Sequence, residues 1–387
     1  MRILFVSHSF PPADRPLSNV GGMQRVATEL HSALREHDSV ALRSAVLRSS
    51  WRSTHLRAGP FMIGALWKIC AMAERREIDA VLFSSMVTAS LAIPLKAHLR
   101  RCGVLTAAIV HGRDVTLDTP FYQRFVPRVF SAVDAVLPVS RATGEACLQR
   151  GLDRRKLYIV PNGVATHRFT STGSNGSARK LLLRQYADQN LPERGLLLCS
   201  VGRQVKRKGF AWFVSEVMPL LPDDVHYWLA GDGPEMDDIL AAAEKKGVGH
   251  RIRLLGRVSE RDLELLYAAS DLFVMPNIPV AGDMEGFGVV MLEAGLSGLP
   301  TIGSRLEGIT DVIDEGQNGH LVPSGDAWGF SEAIMQYYRD HERHSQAKRR
   351  AENYVRHRFS WSAIADRYVN VLHTLSIPAR VSDEALV

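Results

Sequence analysis

At roughly 100–200 residues per domain, a chain of 387 residues is long enough for about two domains, each able to bury its own core. Hydrophobic residues make up 46% and charged residues 23%, a globular balance that excludes bulk disorder. The net charge of +6 is uneven: residues 1–165 hold 22 Lys+Arg against 12 Asp+Glu, a net +10, and the remainder holds 25 against 29, a net −4. A basic half calls for an anionic partner, either nucleic acid or an anionic membrane surface.

The chain opens on the apolar strand Ile3–Val6, then polar Ser7-His8-Ser9. That run is too short for the apolar region of a signal peptide. A helix follows over Met23–Arg35, with Val26, Leu30 and Leu34 at helical spacing. Further strands fall at Ala80–Phe83, Leu105–Val110, Ala135–Val139 and Leu157–Val160. Two stretches mix large apolar groups with cations: Trp51–Arg76 and Pro120–Phe130. Such a mix suits an anionic lipid interface, and equally a core helix with a solvated basic face. Pro161-Asn162-Gly163 is a turn signal that marks the join, and Thr170–Ala178 reads as a surface loop or linker.

The second half repeats the pattern, with strands at Gly195–Val201, Val225–Ala230, Arg251–Leu255, Leu272–Met275, Pro300–Ile302 and His320–Val322. A long Pro/Gly-rich loop, Pro276–Gly288, interrupts it after a strand, where open α/β sheets place ligands. The spacing of Trp361, Ile364, Tyr368 and Leu372 predicts one closing helix over Arg356–Leu375. Buried strands separated by helices indicate parallel sheets, so the fold class is α/β with two doubly wound domains. No apolar run reaches the roughly 18–20 residues of a spanning helix. Cys70, Cys102, Cys147 and Cys199 lie far apart with no CxxC, which fits a reducing compartment. The cytoplasm is the expected location.

The strongest chemical signal is Glu285-Gly286-Phe287-Gly288 running into Glu293. Glycines let backbone amides approach a ligand, a helix start favours phosphate, and carboxylates accept from sugar hydroxyls. Arg203 and Lys208 follow the first strand of the second half, where a fork and a point charge suit a diphosphate. Lys206 and Arg207 read as solvated. His111 ends a strand of the first half and is placed to hydrogen-bond a substrate hydroxyl. Gly21-Gly22 precede the first helix but lack the spacing of a dinucleotide fingerprint. Gly231-Asp232-Gly233-Pro234 reads as a turn.

Arg203 with Lys208, Glu285 through Glu293, Val160-Pro161-Asn162-Gly163-Val164 and His111-Gly112 occur in an order that resembles the family 4 glycosyltransferases. Gly316-Gln317-Asn318-Gly319 downstream agrees, and the resemblance runs from Ile3 to about Leu372. It implies the GT-B architecture, two Rossmann-like domains facing across a cleft. The acceptor domain would be residues 1–165 plus 360–387, with the last helix crossing back. The donor domain would be residues 166–359. The implied activity is that of a retaining hexosyltransferase, serving polysaccharide or lipopolysaccharide synthesis. It would use a UDP- or GDP-linked sugar as donor substrate, with no cofactor and no metal.

By the same resemblance, Arg203 and Lys208 hold the donor diphosphate, Glu293 the ribose, and Glu285 the donor sugar. The amides of Phe287, Gly288 and Val289 serve sugar and phosphate, and backbone at Arg257-Val258 meets the base. His111 stands near the reacting sugar and Gly21-Gly22 approach the diphosphate. The implied partners are that donor and a saccharide or lipid-linked acceptor; the two basic apolar stretches add an anionic membrane surface as a further expected partner, and nucleic acid is not expected. Two departures stand out: Ala165 where the family often has Asp, and a lengthened Asn277–Met284 stretch that leaves Asp283 as an extra sugar contact. The rival readings are a GT-B epimerase or phosphorylase, an inactive scaffold, and a basic nucleic-acid-binding protein.

Overall fold

The computed structural model describes residues 1–12, 22–49, 51–117, 119–168, 175–186 and 195–376, with backbone alone at 51–53, 55 and 175. Two compact units form: Met1–Asn162 with the chain from Trp361 onward, and Gly163–Ser360. Both are built on parallel sheets with helices between the strands.

The first unit comprises β1 (Arg2–Phe10), α1 (Gly22–Glu36), β2 (Ala41–Arg48), α2 (Trp51–Glu74), β3 (Ala80–Phe83), α3 (Ala92–Cys102), β4 (Leu105–Val110), α4 (Pro120–Ala132), β5 (Ala135–Pro138) and α5 (Arg141–Leu148). Its strand order is β2-β1-β3-β4-β5. Ile3, Leu4, Phe5 and Val6 are all fully buried, as a parallel strand covered on both faces requires. One covering layer is α2, α3 and α4, whose Ile69, Leu95, Leu99, Val126 and Phe130 share a core with Leu4, Val6, Val81 and Phe83. In the same unit α1 packs on the last helix, which runs from Trp361 to Ser376. There the Trp361 Nε1–H donates to Glu29, and His37 Nε2 lies 2.9 Å from Asp366 Oδ1.

The second unit comprises α6 (Asn175–Tyr186), β6 (Leu197–Val201), β7 (His226–Ala230), α7 (Met236–Lys245), β8 (Ile252–Gly256), α8 (Glu260–Ala269), β9 (Leu272–Met275), α9 (Val289–Leu296), β10 (Thr301–Ser304), β11 (Gly319–Val322), α10 (Ala327–Arg339) and α11 (His341–Arg358). The order is β11-β10-β9-β6-β7-β8. Phe213 anchors its core against the rings of Tyr227 and Phe330, at 4.9 and 5.9 Å between centroids. From β6 the chain winds outward through β7 to β8, then returns to β9 on the other side of β6. The ends of β6 and β9 therefore form a topological switch point, where such sheets open a crevice for ligands.

Four segments differ from the expectation. β2 carries Arg43, Ser44 and Arg48 on an edge, so it shows no continuous apolar run. Leu157–Val160 makes only an isolated bridge to Val136 before Pro161 ends it. Thr170–Ala178 is no simple loop: residues 170–174 lie outside the described residues, and α6 begins at Asn175. Arg356–Leu375 holds the ends of two helices, α11 and α12 (Trp361–Ser376), in place of one. Ser360 bridges Val164, whose N–H donates to the Phe359 carbonyl at 2.8 Å, and this extended pairing interrupts the helix.

Gly209 holds the loops after β6 and β9 together. Its φ is +67°, and a Cβ there would lie 2.1 Å from the Pro276 carbonyl oxygen. The Ile278 N–H donates to the Arg207 carbonyl at 3.0 Å across the same seam. Gly209→Ala adds left-handed strain of about 1–3 kcal/mol to that backbone clash. The expected outcome is a loss of unfolding free energy of at least that size, read by urea titration followed by tryptophan fluorescence.

Candidate active site

The loop leaving β6 carries Gly202, Arg203, Gln204, Arg207 and Lys208. It is tied to the loop leaving β7 by Gln204, whose N–H donates to the Asp232 carbonyl and whose Nε2 donates to the Gly231 carbonyl. Gly231–Gly233 leave β7 extended against the β6 loop, with Gly231 bridging Gly256, and the turn expected there falls at Pro234-Glu235. The Lys208 stem folds back toward Gly202, so its ammonium sits at the end of β6. It is 5% exposed.

The loop leaving β9 delivers Glu285 to that ammonium. Lys208 Nζ donates to Glu285 Oε2 at 2.5 Å. Asn277 Nδ2 donates to the same oxygen at 3.4 Å, and Arg207 Nη2 stands 3.8 Å away. Burial alone would push the Glu285 carboxyl up. The charges of Lys208 and Arg207 and the hydrogen bonds of Lys208 and Asn277 outweigh it and hold the carboxyl below its ordinary range. Arg207 also lies 3.5 Å from Asp283 Oδ1. The expectation of a solvated Arg207 is therefore overturned: it is half-buried and completes an acidic–basic cluster. Lys206 is exposed, as read.

Glu307, in the loop after β10, was not singled out in the sequence. Its carboxylate accepts the Glu285 N–H at 2.5 Å. Its backbone holds φ +47°, a conformation that favours glycine. Burial is the main reason its carboxyl is pushed up, and the neighbouring Glu285 charge adds to that. Two adjacent carboxyls are thus driven in opposite directions. Glu307 left no periodic signal, only the neighbouring Gly308, whose N–H donates to the Glu285 carbonyl at 3.1 Å; the fold brings the two segments together.

Gly288, at φ +80°, opens α9. Among the described residues the N–H groups of Phe287, Gly288 and Val289 have no backbone carbonyl or capping side chain as partner. They stand two to four residues from Glu285, at a helix start suited to an anion. The Phe287 side chain is buried against Phe359, ring centroids 6.2 Å apart. Glu293, one α9 turn and more along, is buried and accepts from the Tyr267 hydroxyl at 3.2 Å. Arg203 is exposed. Arg257, also exposed, pairs with Asp232 at 2.6 Å, and Val258 follows it at the end of β8. Among the described residues, the buried oxygens Gln204 Oε1 and Asn277 Oδ1 of these loops, and Ser304 Oγ at the end of β10, have no hydrogen-bond partner.

His111 and Gly22 belong to the first unit. The His111 N–H donates to Asp114 Oδ1 at 2.8 Å, and its Nε2 lies 3.0 Å from the Ser84 carbonyl oxygen. His8 Nδ1 lies 3.4 Å from Ser85 Oγ, and burial lowers its pKa. His8 ends the apolar run of β1 beside β3, the switch point of this sheet. The polar Ser7-His8-Ser9 was its only sequence signal. Gly22 is exposed at the start of α1, and Gly21 lies outside the described residues.

Two Rossmann-like units on parallel sheets, one with a charged cluster at its switch point, are the elements of the GT-B architecture. Two family models match the chain in succession: "Glycosyltransferase Family 4" over residues 20–168 and "Glycosyl transferases group 1" over residues 195–340. The chain belongs to the family 4 glycosyltransferases. It is similar to the lipopolysaccharide core biosynthesis glycosyltransferase LpsE of Rhizobium meliloti, 32% identical over 57% of this chain and 58% of that protein. It is also similar to a GDP-mannose-dependent phosphatidylinositol monomannoside mannosyltransferase of Mycobacterium tuberculosis, 24% identical over 96% of this chain and 98% of that one. Among solved structures, HepE of Anabaena in complex with UDP superposes with a TM-score of 0.72 at 18% identity, covering 97% of this chain and 100% of that one. That likeness establishes the GT-B fold.

The lowered Glu285 value makes the pair a pH-dependent element. Its stabilisation is fully present above the ordinary carboxyl value of 4.5 and is lost as pH falls through the lower folded value. In Lys208→Met, burial outweighs the remaining partners. The Glu285 carboxyl then titrates above its value in the parent protein, read by carbonyl-region infrared difference spectra against Glu285→Gln.

Proposed function

We propose that this glycosyltransferase is a retaining hexosyltransferase that takes its sugar from a UDP- or GDP-linked donor. The observation that carries the reading is the buried Lys208–Glu285 pair beside the open amides of Phe287, Gly288 and Val289. Glu285 positions the donor sugar through its hydroxyls, and Glu293 accepts from the ribose. Arg203 and Lys208 take the diphosphate, and backbone at Arg257-Val258 meets the base. His111, in the first unit, is the candidate there for hydrogen-bonding a substrate hydroxyl.

The bond from the sugar's anomeric carbon to the diphosphate oxygen breaks. A bond from the acceptor hydroxyl oxygen to that carbon forms on the same face, and the hydroxyl proton passes to the departing phosphate. The fixed cations stabilise charge as it develops on the leaving group, without reorganisation. In this reading they do the work of a metal, so transfer survives EDTA.

The acceptor is a saccharide or lipid-linked hydroxyl in cell-envelope polysaccharide or lipopolysaccharide synthesis. The named activities of the LpsE and mannosyltransferase relatives support this class. The four cysteines are free thiols, which fits a reducing compartment, and we place the enzyme in the cytoplasm.

A panel of UDP- and GDP-sugars tests the reading by release of the nucleotide diphosphate. Glu285→Ala and Lys208→Ala should each lower turnover by at least about 10²–10³-fold, the size seen when a preorganised electrostatic group is removed. Circular dichroism checks that the fold is kept. Turnover near that of the parent in both variants sinks the assignment.

A further inference from the structure

The layer of α2, α3 and α4 concentrates the basic excess of the first half. α2 packs on α3 and α3 on α4, so α3 lies between the other two. α3 and α4 carry no Asp or Glu at all. α2 carries only Glu74, at its C-terminal end, 3.7 Å from His98. Arg57, Lys96, Arg100, Arg101, Arg124 and Arg128 are exposed across the three helices, and none of them pairs with a carboxylate among the described residues. An ordinary solvated face mixes both signs; this one does not.

Exposed apolar groups lie on the same layer. On α2, Leu56, Pro60, Ile63 and Trp67 recur at helical spacing and make one stripe. Trp67 is 70% exposed. The stripe stands opposite the buried face of the helix, which holds Ala65, Ile69 and Met72. On α4, Phe121 is 87% exposed, on the same side of the helix as Arg124 and Arg128. Single exposed apolar residues need no explanation, but a stripe flanked by unpaired cations does.

We propose that this layer is a docking surface for an anionic lipid bilayer. The α2 stripe and Phe121 enter the interface, and the cations of α3 and α4 meet the phosphate headgroups. Charge complementarity selects this occupant: a second copy of the layer would bring cation against cation. No described helix is long and apolar enough to cross a membrane, so the contact is peripheral. The proposal goes beyond the donor-site reading and stands without it.

Flotation of the whole protein with vesicles tests it. The protein should float with phosphatidylglycerol–phosphatidylcholine vesicles, and high salt should release it, because the attraction is screened. Pure phosphatidylcholine should hold little. Ile63→Glu/Trp67→Glu and Arg100→Glu/Arg124→Glu should each cut the bound fraction about tenfold or more. Nucleotide release from the donor panel, measured in the same samples without vesicles, should stay at the parent level, which separates loss of docking from loss of the enzyme. Equal flotation on neutral and anionic vesicles, no flotation, or variants that float like the parent would overturn the proposal. So would a parent dimer that Ile63→Glu/Trp67→Glu converts to monomer with flotation unchanged.

Discussion

The second unit is organised around two opposite charges that are buried together. Neither Lys208 nor Glu285 could be taken from water alone, since an unpaired buried ion costs several kcal/mol on the order given by solvation. Each makes the other's burial tolerable, and Arg207 and Asn277 share the load. The pair joins two loops that leave neighbouring strands at the switch point. For the loops to come that close, Gly209 must lie against Pro276 without a side chain. Glu307 must accept a left-handed backbone to cap the Glu285 amide. The close approach at Gly209 and the left-handed backbone at Glu307 both lie beside the loops that carry the pair.

The first unit shows a different use of charge. Arg2 pairs with Asp79 where the strands begin, but Arg57, Lys96, Arg100, Arg101, Arg124 and Arg128 stand without a carboxylate partner, among the described residues, on the outer face of one helical layer. The histidines His8 and His111 lie beside Ser85 and Ser84 at the strand ends. Arg203 and Lys208 belong to the half of net −4, so the basic excess of the first half needs its own explanation. The α2–α3–α4 layer supplies one.

Much of the fold was legible because parallel strands are buried on both faces and read as continuous apolar runs. Ala80–Phe83, Leu105–Val110 and Leu272–Met275 come out with the same ends in sequence and structure. The edge strand β2 was hidden because only Ala45 of its residues is buried. The break at Phe359-Ser360 was hidden because its cause, the pairing with Val164, is about two hundred residues away in the chain. At the site, Lys208 and Glu285 were found because glycine and charge cluster around them. Arg207 was misread: a third cation in a basic run looks solvated until Asp283 and Glu285 are brought to it.

The sequence by itself determined the strand series, the glycine loops, the two carboxylates of the α9 segment and the split of charge between the halves. Each is a local pattern, set by periodicity or by residue type at short spacing. Only the tertiary structure decided which charges neutralise one another, which carboxyl is pushed down and which up, and that the apolar stripe of α2 faces outward. Those outcomes depend on burial and on partners distant in the chain. Glu285 meets Lys208 across 77 residues, and no local pattern records that meeting. The uneven charge was visible from the first count, but its place on one face of one helical layer was a property of the fold.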